Sequence, residues 1–94
     1  MKFLVQWRVH DEKRHEALAG FSEMTPEDDA ADLGDVTLIG RWHDLASFTG
    51  VAICEADEAE AVYRWLLNWN AMLDVDVTPV LDDDEARALG RSLG

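Results

Sequence analysis

The order of periodicities constrains this chain more than any single motif. In "KFLVQWRV", residues 2 to 9, Phe3, Val5, Trp7 and Val9 fall on one side and Leu4, Gln6 and Arg8 on the other. Successive strand residues point to opposite faces, and β-branched and aromatic residues suit a pleated surface. "DVTLIGRWH" and "FTGVAICEA" alternate in the same way. Only "DLAS" separates them, which predicts a hairpin with its connection over 44–47. "LDVDVTPVL" alternates last, and Pro79 within it has no N–H to donate, so this strand is expected at a sheet edge.

Helical spacing fills the gaps. In "DEKRHEALAGFSEM" Asp11 can cap a helix, and Leu18, Phe21 and Met24 recur at helical intervals beside Ala17. Pro26 and the acidic run Glu27, Asp28, Asp29 are expected to end that helix or to start a loop. After the hairpin, Asp57 with Glu60 three residues on matches a capping box, and Ala59, Val62, Leu66 and Trp69 form one apolar stripe. Glu60 and Arg64 can pair on the wet side. The tail "DDDEARALGRSLG" supports a short helix capped by Asp82. Strand, helix, strand, strand, helix, strand is the split βαβ, or ferredoxin-like, α+β arrangement. It places two helices on one face of a four-stranded antiparallel sheet, in a single domain over 1–94.

The hairpin also predicts which residues share a face. With 44–47 as the turn, His43 opposes Phe48, Arg41 opposes Gly50 and Ile39 opposes Ala52, and opposed residues lie on the same side. The set Val36, Leu38, Gly40, Trp42, Thr49, Val51 and Ile53 is the more apolar, so it is expected beneath the helices. Arg41 and His43 then join Leu4, Gln6, Arg8, Asp74 and Asp76 on the helix-free face. That face mixes charges with Leu4, Ile39, Phe48 and Ala52, which predicts a second protomer covering part of it, with a pocket beneath.

Composition narrows the partners. The formal charge of −12 on 94 residues repels phosphate backbones and anionic membranes, so neither nucleic acid nor membrane is expected as a partner. "MKFLVQWRVH" carries Gln6 and Arg8 and no small-residue cleavage site, and no stretch reaches the roughly 18 apolar residues of a membrane span. One cysteine, Cys54, permits no intrachain disulfide. These features predict a cytoplasmic protein.

"GRWH" leading into a hairpin, then "EADEAEAV", then "WNAMLDVDVTPVLDDDEA", resembles a family of small bacterial proteins known only as a domain of unknown function. "GRWH", "WN" and "VTPVL" are specific together, and the likeness covers nearly the whole chain. The resemblance implies membership of the dimeric α/β-barrel superfamily, with a ferredoxin-like protomer and a homodimer built sheet to sheet. It implies no settled activity, because that superfamily holds cofactor-free monooxygenases, haem-degrading enzymes, lactone isomerases and members without catalysis.

His43 is the candidate catalytic residue, because a neutral imidazole can take or give a proton near pH 7. Arg41 beside it could hold an anion, and Gln6, Arg8 and Asp76 complete the candidate ligand-binding set. The opposing reading has His43 only bonding the turn and Asp74 and Asp76 only pairing with Arg8 or Arg41. Trp7, Trp42 and Trp69 read as core residues. His10 and His15 have no HxxxH spacing and no CxxC occurs, so no metal or other cofactor is expected, although a lone histidine leaves haem ligation open. Cys54 reads as a packed thiol. Three functions remain: a dimeric domain binding a small organic molecule, a non-catalytic dimeric module, and a cofactor-free monooxygenase- or isomerase-like enzyme.

Overall fold

The alternation at the N-terminus becomes an inner strand. In the computed structural model, which describes residues 1–94, Lys2–Val9 (β1) pairs antiparallel with Thr49–Glu55 (β3) on one side and with Leu73–Val80 (β4) on the other. Thr37–Asp44 (β2) completes the sheet beyond β3, giving the order β2-β3-β1-β4 with every neighbour antiparallel. β4 is an edge strand, where Pro79 is tolerated. Helices α1 (Arg14–Ser22), α2 (Pro26–Leu33), α3 (Ala59–Leu66) and α4 (Asp83–Ser92) make up the rest, with one 3-10 turn at Asp11–Lys13. This is the ferredoxin-like α+β architecture expected from the order of periodicities.

The strands of the hairpin face the reverse of the expectation, whereas Leu4, Gln6, Arg8, Asp74 and Asp76 lie on the helix-free face as expected. Phe3 opposes Cys54, Val5 opposes Ala52 and Trp7 opposes Gly50 across β1 and β3. Phe3, Val5, Ala52 and Cys54 are buried beneath the helices, together with Val62, Trp65 and Leu66 of α3. Val51 and Ile53 lie on the helix-free side. Small residues on β3 form a shallow floor that admits large side chains from above, so the less bulky set is the buried one. Arg41 opposes Ala52 and His43 opposes Gly50, which puts both on the helix-covered face. Trp42, read as a core residue, is 60% exposed on the open face.

Two local features account for the rest of the difference. The turn occupies 45–48, because Asp44 accepts hydrogen bonds from the backbone N–H groups of Ala46 (2.9 Å) and Ser47 (3.3 Å) and so starts the reversal itself. Phe48 leaves the strand and takes a φ of 55°, with the Arg14 guanidinium over its ring at 5.4 Å. A register shift between Leu38 and Gly40 makes Ile39 an extra residue. This β-bulge turns Leu38 toward the core and leaves Ile39 exposed.

The acidic run 27–29 is helical, not a loop. Thr25 caps α2 by accepting from the Asp28 N–H (3.1 Å), while the Asp28 carboxylate accepts from the Thr25 N–H (3.0 Å) and Pro26 fills the first turn. α3 begins after Glu58, with no side-chain cap from Asp57, and ends at Leu66, so Trp69 and Asn70 sit in the turns beyond it. Val62, Trp65 and Leu66 supply its buried face, and burying one such aliphatic side chain contributes roughly 1.5–3 kcal/mol. The expected Glu60–Arg64 pair is present at 2.7 Å. α4 has the expected Asp82–Glu85 capping box, and Lys2 holds its first turn through Asp82 (3.3 Å) and Glu85 (3.2 Å) as well as pairing with Glu55 (3.2 Å).

Candidate functional site

Between the sheet and the helices lies a cavity of about 90 Å³. β1 contributes Val5, Trp7 and Val9, α1 contributes Ala17 and Phe21, and Trp65, Leu66 and Trp69 come from α3 and the turn after it. Leu73 and Val75 of β4 close one side, and the remaining two of its 12 lining residues are Arg41 and His43. Gly50 lets the Trp7 indole of the cavity wall lie close against β3: an added Cβ would fall inside that ring. Glycine is used here for close approach rather than for an unusual backbone angle.

Arg41 and His43 stand between this cavity and solvent. Both also border a surface hollow beside the α1–α2 turn, lined by Met24, Thr25 and Asp29 among others. The His43 ring is flanked by Phe21 at 4.9 Å and Trp7 at 5.6 Å between centroids. Burial against these rings, with the Arg41 charge as the second cause, pushes the His43 pKa below its ordinary value. The imidazole is therefore a neutral base at pH 7.

Arg41 is engaged by the acidic helix. Its Nη2 donates to both carboxylate oxygens of Asp29, at 3.1 and 3.2 Å, and its guanidinium lies 4.8 Å from the centre of the Phe21 ring. One turn further along α2, Asp32 accepts from the indole N–H groups of Trp65 (3.1 Å) and Trp69 (2.8 Å), and from Asn68 Nδ2 (2.9 Å). A carboxylate from α2 thus fixes the rotamers of two cavity-wall tryptophans.

The five predicted site residues do not form one pocket on one face. Gln6, Arg8 and Asp76 line a polar hollow on the open face with Trp42 and Asp74. His43 borders that hollow as well as the apolar cavity, because it sits at the end of β2, whereas Arg41 belongs only to the helix side. Asp74, expected to pair with Arg8 or Arg41, instead reaches His10 Nε2 at 3.0 Å. No group of three or more histidine, cysteine or carboxylate side chains is placed to hold a metal ion. Sequence reasoning missed Asp29, Asp32, Trp65 and Asn68. The clue to the first two was Thr25-Pro26-Glu27-Asp28, a capping box with proline at the first helical position, which sets Asp29 and Asp32 one turn apart on one helix face.

Fold and site together define a ferredoxin-like α+β domain with an aromatic cavity beneath its helices. The chain belongs to the DUF3303 family, a domain of unknown function, whose match runs over residues 1–94. It is similar to the solved structure of SCO4226 from Streptomyces coelicolor A3(2), at 24% identity and a TM-score of 0.51, covering 87% of this chain and 99% of that one. It is also similar to a NIPSNAP family protein from Agrobacterium tumefaciens, at 17% identity and a TM-score of 0.48, covering 88% of this chain and 96% of that one. These likenesses concern the fold alone. No curated protein matches the chain. No helix is long and apolar enough to cross a membrane.

Proposed function

We propose that this domain binds a small organic molecule in the cavity between its sheet and helices, and that it works as a homodimer joined through the open sheet face. The cavity itself carries the binding reading: 10 of its 12 lining residues are hydrophobic, and its two polar members lie toward solvent. Ligand sites combine an apolar wall with a few placed polar groups in this way. The dimer rests on Trp42, 60% exposed on a face that also carries Leu4, Val51 and Ile53. A catalytic reading is favoured by the place of His43, which lines both the cavity and the adjoining surface hollow, where burial against Phe21 and Trp7 lowers its pKa. A free-base imidazole beside a bound molecule can accept its proton without a cofactor.

The four tryptophans provide the test. In ¹⁵N-labelled protein titrated with isovaleramide, the indole N–H signals of Trp65 and Trp69 should shift while that of Trp42 stays in place. His43→Ala should keep the fold and weaken the binding. Shifts confined to Trp42 would move the site to the open face. No shift at any indole, together with no retained small molecule in native mass spectrometry of freshly purified protein, would leave the non-catalytic dimeric module as the better account.

A further inference from the structure

We propose that Asp29 occupies the place of a ligand carboxylate, so that the cavity takes a small aliphatic carboxylic acid whose binding releases α2 from Arg41. This rests on the cavity reading above and names its ligand class. The cavity is about 90 Å³, smaller than the roughly 150 Å³ cavity that accommodates benzene, which suits an acyl tail of a few carbons. The polar end of such a molecule would meet Arg41, whose side chain is only 16% exposed. Asp29 contacts it through a single nitrogen, Nη2. That is not the two-nitrogen fork in which arginine binds carboxylates best, and both forks of the guanidinium, Nε–Nη2 and Nη1–Nη2, use Nη2, so a carboxylate that binds by fork must take that nitrogen from Asp29. Two carboxylates at one guanidinium repel each other, so an incoming acid weakens the Asp29 contact.

The consequence reaches α2 as a whole. That helix has no fully buried residue: Leu33 at its C-terminal end packs against the core, and two polar contacts hold it elsewhere, Asp29 to Arg41 and Asp32 to the Trp65, Asn68 and Trp69 group. Losing the first leaves it attached at its C-terminal end only. The acidic helix is then a latch that an acidic ligand opens, and its second carboxylate remains as the hinge.

Isovalerate and its neutral isostere isovaleramide separate the possibilities, read at the Trp65 and Trp69 indole signals in the parent protein and in Asp29→Asn. With a charged hydrogen bond at stake, isovalerate should bind Asp29→Asn about tenfold more tightly than the parent, while isovaleramide binds both alike. Arg41→Gln should remove the preference for the acid. Saturating isovalerate, but not isovaleramide, should speed amide hydrogen exchange in α2. If both probes bind parent and variant equally, the stand-in role of Asp29 is wrong and the cavity reading survives. If neither moves the cavity indoles in any variant, both fall together. Thermal melting of Asp29→Asn, part-buried and isosteric at the substituted group, checks that the fold is kept.

Discussion

The two faces of the sheet are built on opposite principles, and β3 shows it within seven residues. Toward the helices it presents Gly50, Ala52 and Cys54. Away from them it presents Thr49, Val51 and Ile53. The covered face owes its burial to what packs onto it: Trp7 and Phe3 from β1, and Val62, Trp65 and Leu66 from α3. Its own side chains are small because the space is already taken. The open face carries larger groups and has only water over it in the monomer. A strand's bulk and its burial are therefore separate quantities, linked only through the elements that cover it.

The largest test of this contrast is Trp65→Ala. It removes an indole that is 5% exposed together with its bond to Asp32, and truncating a large buried aromatic costs roughly 3–5 kcal/mol. A denaturation midpoint close to that of the parent would put α3 on the wrong face. Next comes a matched pair. Gly50→Ala pushes a methyl into the Trp7 ring on the covered side, and such overpacking costs roughly 1–3 kcal/mol. Gly40→Ala meets the Trp42 ring in the same way on the open side, but that ring is 60% exposed and can swing out, so the cost should be under about 0.5 kcal/mol. Equal losses from the two glycines would erase the distinction between the faces.

Trp42→Glu tests the proposed dimer instead of the fold. It should leave the denaturation midpoint of dilute protein unchanged and weaken self-association by about tenfold or more, since a buried aromatic at the centre of an interface is worth at least about 1.4 kcal/mol. Sedimentation equilibrium reads the change. Because the formal charge is −12, association of the parent should tighten from low to moderate salt. A monomer mass at every salt concentration would remove the dimer.

The smallest effect is in pH dependence. The folded-state pKa of His43 lies below its ordinary value of 6.5, so the unfolded chain binds the proton more readily. Its contribution to stability is whole above about pH 6.5 and is lost as pH falls through the window down to the folded pKa. Comparing stability at pH 7 with pH 5 in the parent and in His43→Asn isolates it. A variant with the same slope as the parent would show that the ring is not desolvated by Phe21 and Trp7.

The sequence was legible where periodicity and covalent chemistry act locally. The element order, the edge position of β4 and the Asp82 cap of α4 follow from alternation, from the missing N–H of Pro79 and from capping stereochemistry. The faces of β1 and β4 follow from alternation, but those of the hairpin strands were not legible, because they depend on which residues of β1 oppose which residues of β3. That register places Val5 over Ala52 and Trp7 over Gly50, and it is fixed by contacts between distant segments. The bulge at Ile39 returns Leu38 to the helix-covered side, where it was expected, while Gly40 and Trp42 beyond it face away. His43 and Arg41 emerged as candidates through their chemistry, whereas their true partners, Asp29 and the cavity-wall tryptophans, come from an acidic stretch whose charge concealed a helix.

Cys54 gives the covered face a clock. It is the chain's one thiol, it is fully buried near the end of β3 opposite Phe3, and burial raises its pKa. Thiolate is the reactive form, so a modifying reagent added to the native protein finds neither access nor an ionised sulfur. Labelling must wait for β3 to separate from the layers above it. The increase in mass with time then counts openings of the sheet, one event per molecule, with no second cysteine to blur the record.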